Sequence, residues 1–218
     1  FGFWMARYVA AHLLVEAERL PECRAAQELG RWQSHLLPEP LTGRIALILG
    51  FGRIGRQIGR SLRELGLEVH GIARNGRADG EFSIHGPAAL PALLPRARLL
   101  VLAAPATQET RGMVDGPLQA HGHAELLLIN IGRGELLGLE ALRQALEQDR
   151  LARAVLDVFP EEPLPPDHWL WRPPKVTVTP HPSGPSTPTQ LIPDIQANLD
   201  RFARGEAVEG AVDRSRGY

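Results

Sequence analysis

From the Thr-Gly-Arg triplet at 42–44 onward, short and almost wholly apolar runs alternate with longer stretches in which apolar residues return every three or four positions. The runs are Ile45–Leu49, Val69–Ile72, Leu99–Ala103, Leu126–Ile129, Ala154–Val158 and Val176–Val178, and they read as strands buried on both faces of a parallel sheet. Between them, Ile54–Leu65, Ala88–Leu93, Leu139–Gln148 and Gln190–Arg204 read as helices. This βαβ rhythm predicts an α/β fold, a Rossmann-type doubly wound parallel sheet of six strands. Ahead of it, "FGFWMARYVAAHLLVEAERL" places Met5, Val9, Leu13 and Leu20 at roughly helical spacing, and "ECRAAQELGRWQSH" suggests a second, polar helix. The first helix has two readings, packing on its own domain or making a dimer or interdomain contact. The proline-rich "FPEEPLPPDHWLWRPP" reads as a crossing loop, with Trp169 and Trp171 as its anchors.

With 218 residues the chain is long enough for one large domain, or one domain with pieces of another. A formal net charge of -1 gives no field for gripping a nucleic-acid backbone or an anionic membrane. The apolar runs are too short to span a bilayer. Cys23 is the only cysteine, which excludes an internal disulfide and suits a reducing compartment, so a soluble, cytoplasmic protein is expected. The chain opens on Phe1 rather than Met, and a preceding segment is expected to be missing.

Gly50, Gly52 and Gly55 form G-x-G-x-x-G directly after one predicted strand and directly before a helix. In that context the first glycine permits a tight turn, the second lets backbone approach a pyrophosphate and the third lets helix pack on strand. The helix N-terminus then faces the anion. At the end of the second strand, where such folds place an acid that binds the adenosine ribose, the chain has Ala73 followed by Arg74. Without the acid a 2′-phosphate is not repelled, and Arg74 offers it a planar, permanently charged fork, with Arg77 as a second cation. NADP(H) is therefore the preferred cofactor, with NAD(H) binding still open if Arg74 is only a solvated loop charge.

Three more segments end predicted strands: "LLLINIGRGELL", "AVLDVFPEEPLP" and "VTVTPHPSG". They offer Arg133, Glu162 and His181, a set suited to reducing a carbonyl beside a carboxylate. An arginine can pair with the substrate carboxylate and polarise its neighbour. A histidine can donate the proton that the carbonyl oxygen needs, and an adjacent carboxylate favours the imidazolium and fixes the ring. Singly, each has an ordinary reading: a loop-capping arginine, a solvated acid beside Glu161, a histidine satisfied by backbone. The histidines of "AHGHAE", His121 and His123, lack further ligands nearby and read as a solvated loop.

Taken together, "MARYVAAHLL", "LTGRIALILGFGRIG", "LAAPATQETRGMV", "INIGRGELL", "LDVFPEEPLP", "LWRPPKVTVTPH" and "VDRSRGY" make the chain resemble the D-isomer-specific 2-hydroxyacid dehydrogenases, nearest to the glyoxylate and hydroxypyruvate reductases. The resemblance implies Arg133, Glu162 and His181 as catalytic groups. It also implies that Arg53, Ile54, Pro105, Ile131, Asp157, Ser183 and Gly184 touch or flank the dinucleotide. It further implies NAD(P)-dependent interconversion of a small 2-ketoacid and a D-2-hydroxyacid, in a homodimer. Residues 1–36 would be interdomain or dimerisation helices, 37–186 the dinucleotide domain, and 187–218 a return to a substrate domain whose N-terminal part the chain lacks. On that view apolar surface stays exposed on residues 1–20 and on Leu191, Ile195, Leu199 and Phe202, and turnover by the chain alone is poor or lost. Arg7 and Gly138 depart from the family by standing where an acid is common. The alternatives are a dinucleotide-binding, corepressor-like protein and an inactive fragment.

Overall fold

The computed structural model describes residues 2–76 and 80–211. Arg77 and the closing "VDRSRGY" lie outside the described residues. In chain order the elements are α1 (Gly2–Ala17), α2 (Leu20–Glu28), β1 (Ile45–Leu49), α3 (Arg53–Glu64), β2 (Glu68–Ile72), β3 (Ser83–His85), α4 (Leu90–Leu93), β4 (Ala97–Leu102), α5 (Asp115–His121), β5 (His123–Asn130), α6 (Leu139–Glu147), β6 (Leu151–Leu156), β7 (Val176–Val178) and α7 (Pro188–Ala203). The strands form one parallel sheet in the order β3-β2-β1-β4-β5-β6-β7. Strand order reverses between β1 and β4, and in open α/β sheets ligands gather beyond the strand ends at such a point.

The strictly two-residue period of a strand divides the apolar runs between two cores. In β1, Ile45, Leu47 and Leu49 face the layer holding Leu118 of α5 and Leu142 of α6, while Ala46 and Ile48 face Ile58 and Leu62 of α3. β4 and β5 repeat the division, so the central strands are apolar on both faces. α1 packs on α3 and buries Ala6, Val9, Leu13 and Ala17, a helical stripe. Complete burial of Val9 and Leu13 stabilises the fold by about 1.5–3 kcal/mol each. In the single chain the first helix thus packs on its own domain. α1 stops at Ala17, so Leu20 opens α2 instead of extending the stripe and stays exposed. α2 is shorter than "ECRAAQELGRWQSH" because Gly30, at φ 60°, ends it in the left-handed conformation.

Two elements were not foreseen. β3 is a three-residue edge strand in a polar stretch, which makes the strands seven instead of six. α5 is a seven-residue helix containing Gly116 and Pro117. His123 is the first residue of β5, not a loop position, and its Nε2 is 2.8 Å from the carbonyl oxygen of Ala97. α7 carries Ile192, Ile195, Leu199 and Phe202 exposed along one stripe, with Leu191 half-buried. Gly138 is explained by its surroundings: its N–H donates to Asp115 Oδ1 at 2.8 Å, and a Cβ there would lie 2.5 Å from Asp115 Oδ2.

Candidate active site

The glycine turn leaves β1 at the centre of the sheet. Gly50 has φ 95°, and a Cβ on it would stand 2.4 Å from the Ala104 nitrogen, so both conformation and space demand glycine. A Cβ on Gly55 would stand 2.3 Å from the Gly50 carbonyl oxygen, which shows how closely α3 is set against the turn. Gly52 differs: it caps α3, and nothing lies within 4 Å of where its Cβ would be. Backbone open to an approaching group at a helix N-terminus suits a pyrophosphate. Arg53 is exposed and Ile54 half-buried on the first turn of α3, beside that opening. Gly71 went unnoticed in the sequence; a Cβ there would meet the Phe51 ring at 2.3 Å.

Around this turn the flanking loops differ. After β2, Ala73 is held by its N–H to the His85 carbonyl at 2.9 Å, and Arg74 is exposed, its Nη2 2.8 Å from Glu109 Oε2. After β4, Pro105 begins a loop folded by Thr110, whose hydroxyl donates to the Pro105 carbonyl at 2.6 Å and accepts from the Thr107 N–H at 2.8 Å.

At the far end of the same edge, the loops after β5, β6 and β7 bring the three predicted catalytic side chains into one neighbourhood. His181 Nδ1 lies 2.9 Å from Glu162 Oε2, and Glu162 Oε1 accepts from the Phe159 N–H at 2.9 Å. Burial works to raise the Glu162 carboxyl, but the bonds from His181 and Phe159, with the charges of His181 and Arg133, hold it below the usual carboxylate value. His181 sits at φ 56°, a left-handed conformation uncommon for its residue type, and its N–H reaches back to the Thr179 carbonyl at 3.0 Å. Arg133 is exposed and donates from Nη1 to the Gly132 carbonyl at 2.6 Å. Its loop is fixed by buried Asn130, which accepts from the Gly132 N–H at 3.1 Å and donates to the Arg133 carbonyl at 3.0 Å. Gly134 allows the crossing: a Cβ there would lie 2.1 Å from the Phe159 carbonyl carbon.

Behind these groups is a buried polar chain. Asp157 is 0% exposed and accepts from the Thr179 hydroxyl at 2.5 Å and the Ser183 N–H at 3.0 Å. Thr179 Oγ1 is in turn 2.7 Å from the Tyr8 hydroxyl on α1. Burial, reinforced by the Asp157 charge and opposed by the bond to Thr179, pushes the Tyr8 phenol up to about 12. The Ser183 hydroxyl is buried without a hydrogen-bond partner in the protein. It stands beside Gly184, where an added Cβ would lie 2.6 Å from the Met5 Cε, and Ile131, the residue after β5, is buried. The open glycine turn at one end and an orphaned hydroxyl beside a satisfied carboxylate at the other fit an elongated polar ligand lying along this edge. Tyr8, Thr179, Asn130 and Glu109 were missed in the sequence, where only Asn130, one step from the glycine-bearing loop, carried a local signal.

Residues 10–183 match the family model described as D-isomer specific 2-hydroxyacid dehydrogenase, NAD binding domain. The chain belongs to that family. Glyoxylate/hydroxypyruvate reductase A of Serratia proteamaculans (strain 568) is 35% identical over 215 residues, covering 98% of this chain and 68% of the relative. A D-isomer specific 2-hydroxyacid dehydrogenase from Xanthobacter autotrophicus Py2, solved in complex with NADPH and MES, superposes with a TM-score of 0.91 at 34% identity, covering 100% of this chain and 90% of that one. An NADPH-dependent glyoxylate/hydroxypyruvate reductase from Sinorhizobium meliloti, solved with NADP and sulfate, superposes with a TM-score of 0.88 at 29% identity, covering 99% of this chain and 69% of that one. The fold is thus the Rossmann-type α/β fold of NAD(P)-dependent dehydrogenases, and the corepressor-like alternative has no counterpart among these relatives.

Proposed function

We propose that this chain provides the cofactor-binding and catalytic surface of a reductase that interconverts a small 2-ketoacid, of the glyoxylate or hydroxypyruvate type, and a D-2-hydroxyacid, with NADP(H) preferred over NAD(H). The observation that carries the proposal is the hydrogen-bonded Glu162–His181 pair beside Arg133, on the sheet edge that also carries the glycine turn. The turn of Gly50, Gly52 and Gly55 would hold the pyrophosphate, with Arg53 and Ile54 flanking it. Arg74 would take a 2′-phosphate, and Pro105, Ile131, Asp157, Ser183 and Gly184 would border the rest of the dinucleotide. Bound there, the nicotinamide supplies or accepts the hydride. Arg133 pairs with the substrate carboxylate and draws charge toward itself as it develops on the neighbouring oxygen. His181 delivers the proton to that oxygen from Nε2, because Nδ1 is engaged by Glu162. Glu162 holds the ring in that orientation.

The same reading assigns residues 37–186 to the dinucleotide domain, 1–36 to connecting or dimer-forming helices, and 187–218 to a return toward a substrate domain. The exposed stripe of α7 supports an apolar contact there, and Trp32 at 96% exposure with Leu29 and Leu37 supports a homodimer contact. None of the helices among the described residues is long and apolar enough to cross a membrane. We place the protein in the cytoplasm, where its single Cys23, exposed and free, stays reduced.

Fluorescence titration with NADPH and NADH, beside turnover of glyoxylate and hydroxypyruvate, tests the reading. NADPH should bind more tightly. Arg74→Ala should remove roughly tenfold of that preference, the worth of a charge-assisted bond at about 1.5 kcal/mol. An unchanged preference would mean that Arg74 does not read the phosphate.

A further inference from the structure

The Arg74–Glu109 pair joins the loop after β2 to the loop after β4. These two strands are not neighbours: each pairs with β1 from opposite sides. At the usual strand spacing they stand roughly 9–10 Å apart. An ion pair between their following loops therefore passes over the end of β1, where the glycine turn emerges. Thr110 folds the Pro105–Thr110 loop, so Glu109 is presented by an ordered turn. Arg111, the residue after that loop, is directed to Glu135 at 3.7 Å.

The placement changes what Ala73 means. Dinucleotide folds put a carboxylate at the end of the second strand to accept from the ribose hydroxyls and to repel a 2′-phosphate. The residue at that chain position is Ala73, yet Glu109 brings a carboxylate to the same neighbourhood from the opposite side of β1, in contact with the one described cation of the loop after β2. We propose that Glu109 is a selectivity residue, a carboxylate that competes with the 2′-phosphate for Arg74 and holds the site open to NAD(H). The inference rests on the proposed reading of Arg74 as the phosphate contact. A 2′-phosphate has to take the guanidinium from Glu109, whereas a 2′-hydroxyl can leave the pair in place or donate to it. Both side chains are substantially exposed, at 42% and 64%, so the pair is easily exchanged. The more highly charged phosphate is the stronger partner for the guanidinium.

Fluorescence titration of wild type, Glu109→Gln, Glu109→Lys and Arg74→Ala with NADPH and NADH tests this, with thermal melts to confirm folding. Glu109→Gln should raise the NADPH-to-NADH affinity ratio about two- to fivefold, the span of an exposed ion pair. Glu109→Lys should raise it further, with a gain that shrinks as salt increases. If Arg74→Ala lowers the ratio while neither Glu109 variant raises it, the selectivity role is wrong and the phosphate contact stands. Equal tightening of both cofactors would also overturn it, since Glu109 would then only obstruct entry. If Arg74→Ala leaves the ratio unchanged, the phosphate reading and this inference fall together.

Discussion

The two ends of the sheet's C-terminal edge are built differently. Beyond β5, β6 and β7 nearly every polar group is tied to another: Asp157 to Thr179 and Ser183, Thr179 to Tyr8, Glu162 to Phe159 and His181, and Asn130 to both sides of the Arg133 loop. Beyond β1 the backbone is sterically exacting at Gly50 and Gly55, but beyond β2 and β4 the charges are exposed, and Arg74 meets Glu109 in water. The difference suits the roles proposed for the two ends. Proton delivery to a carbonyl oxygen needs a donor fixed to within a fraction of an ångström, and fixed donors need buried, satisfied neighbours. A terminal phosphate is a large, highly charged target that exposed cations can meet from many rotamers. Substitutions at the first end should therefore cost turnover, and those at the second should redirect cofactor choice.

The largest expected break is at His181. His181→Ala should lower kcat/KM for ketoacid reduction by about 10²–10⁴, the usual worth of a positioned proton donor, with NADPH affinity close to wild type. The left-handed backbone at this position complicates that variant, because alanine tolerates φ 56° poorly. His181→Asn separates the two effects, since asparagine accepts the conformation but cannot donate the proton. Wild-type-like turnover in His181→Asn would remove the ring from the mechanism.

Glu162→Gln should come next. It keeps the shape of the side chain and removes its charge, so the histidine loses a charge-assisted hydrogen bond, and kcat should fall roughly tenfold, the lower end of what such a bond is worth. A pH series sharpens this. The folded-state carboxyl is held below its ordinary value, so its contribution to stability is present above the unfolded-state value and is lost as pH falls through the lower folded-state one. The difference in melting temperature between wild type and Glu162→Gln should accordingly shrink through that acid window. A constant difference from pH 6 to pH 3 would show that the Glu162 carboxyl is not held below its ordinary value.

How much of this was legible in the sequence depends on the range of the interaction that fixes each feature. The central strands and the glycine turn are local: an apolar run of five residues and G-x-G-x-x-G state their roles within about ten positions. Arg133, Glu162 and His181 each follow a readable strand, so their gathering at one edge of the sheet was local information too. β3 was missed because an edge strand half open to solvent needs no apolar run, only a neighbour with free backbone groups. α5 was missed because its Gly116 and Pro117 weaken the helical pattern, and its fixed point is the packing of Leu118 against the sheet. Exposure on α7 was anticipated from the resemblance, which gives it a missing domain to return to, but burial of α1 was not decided by its pattern, because that depends on the groove beside α3. The contacts that distinguish the two ends of the edge were out of reach altogether. Tyr8 and Thr179 are 171 positions apart, and Arg74 meets Glu109 only because β2 and β4 flank β1.

The smallest expected effect probes the deepest link of the tied end. Tyr8→Phe removes one hydroxyl, the one through which α1 reaches the Thr179–Asp157 chain, and leaves the ring tilted against His12 with centroids 4.5 Å apart. Thr179 keeps its bond to Asp157, so no buried group loses its last partner and the cost should be about 0.5–1.5 kcal/mol of stability. Spectrophotometric titration gives a more specific signal. With the phenol pushed up to about 12 from an ordinary value of 10, its protonated form is the one the fold favours. Its stabilising contribution is complete below pH 10 and is lost as pH rises toward 12. A tyrosine ionisation near 12 in wild type should disappear in Tyr8→Phe, and wild type should lose its stability advantage over the variant across that interval. If the missing ionisation is instead near 10, the Tyr8 hydroxyl is solvated, and the polar chain behind the Glu162–His181 pair ends at Thr179 without fastening α1 to it.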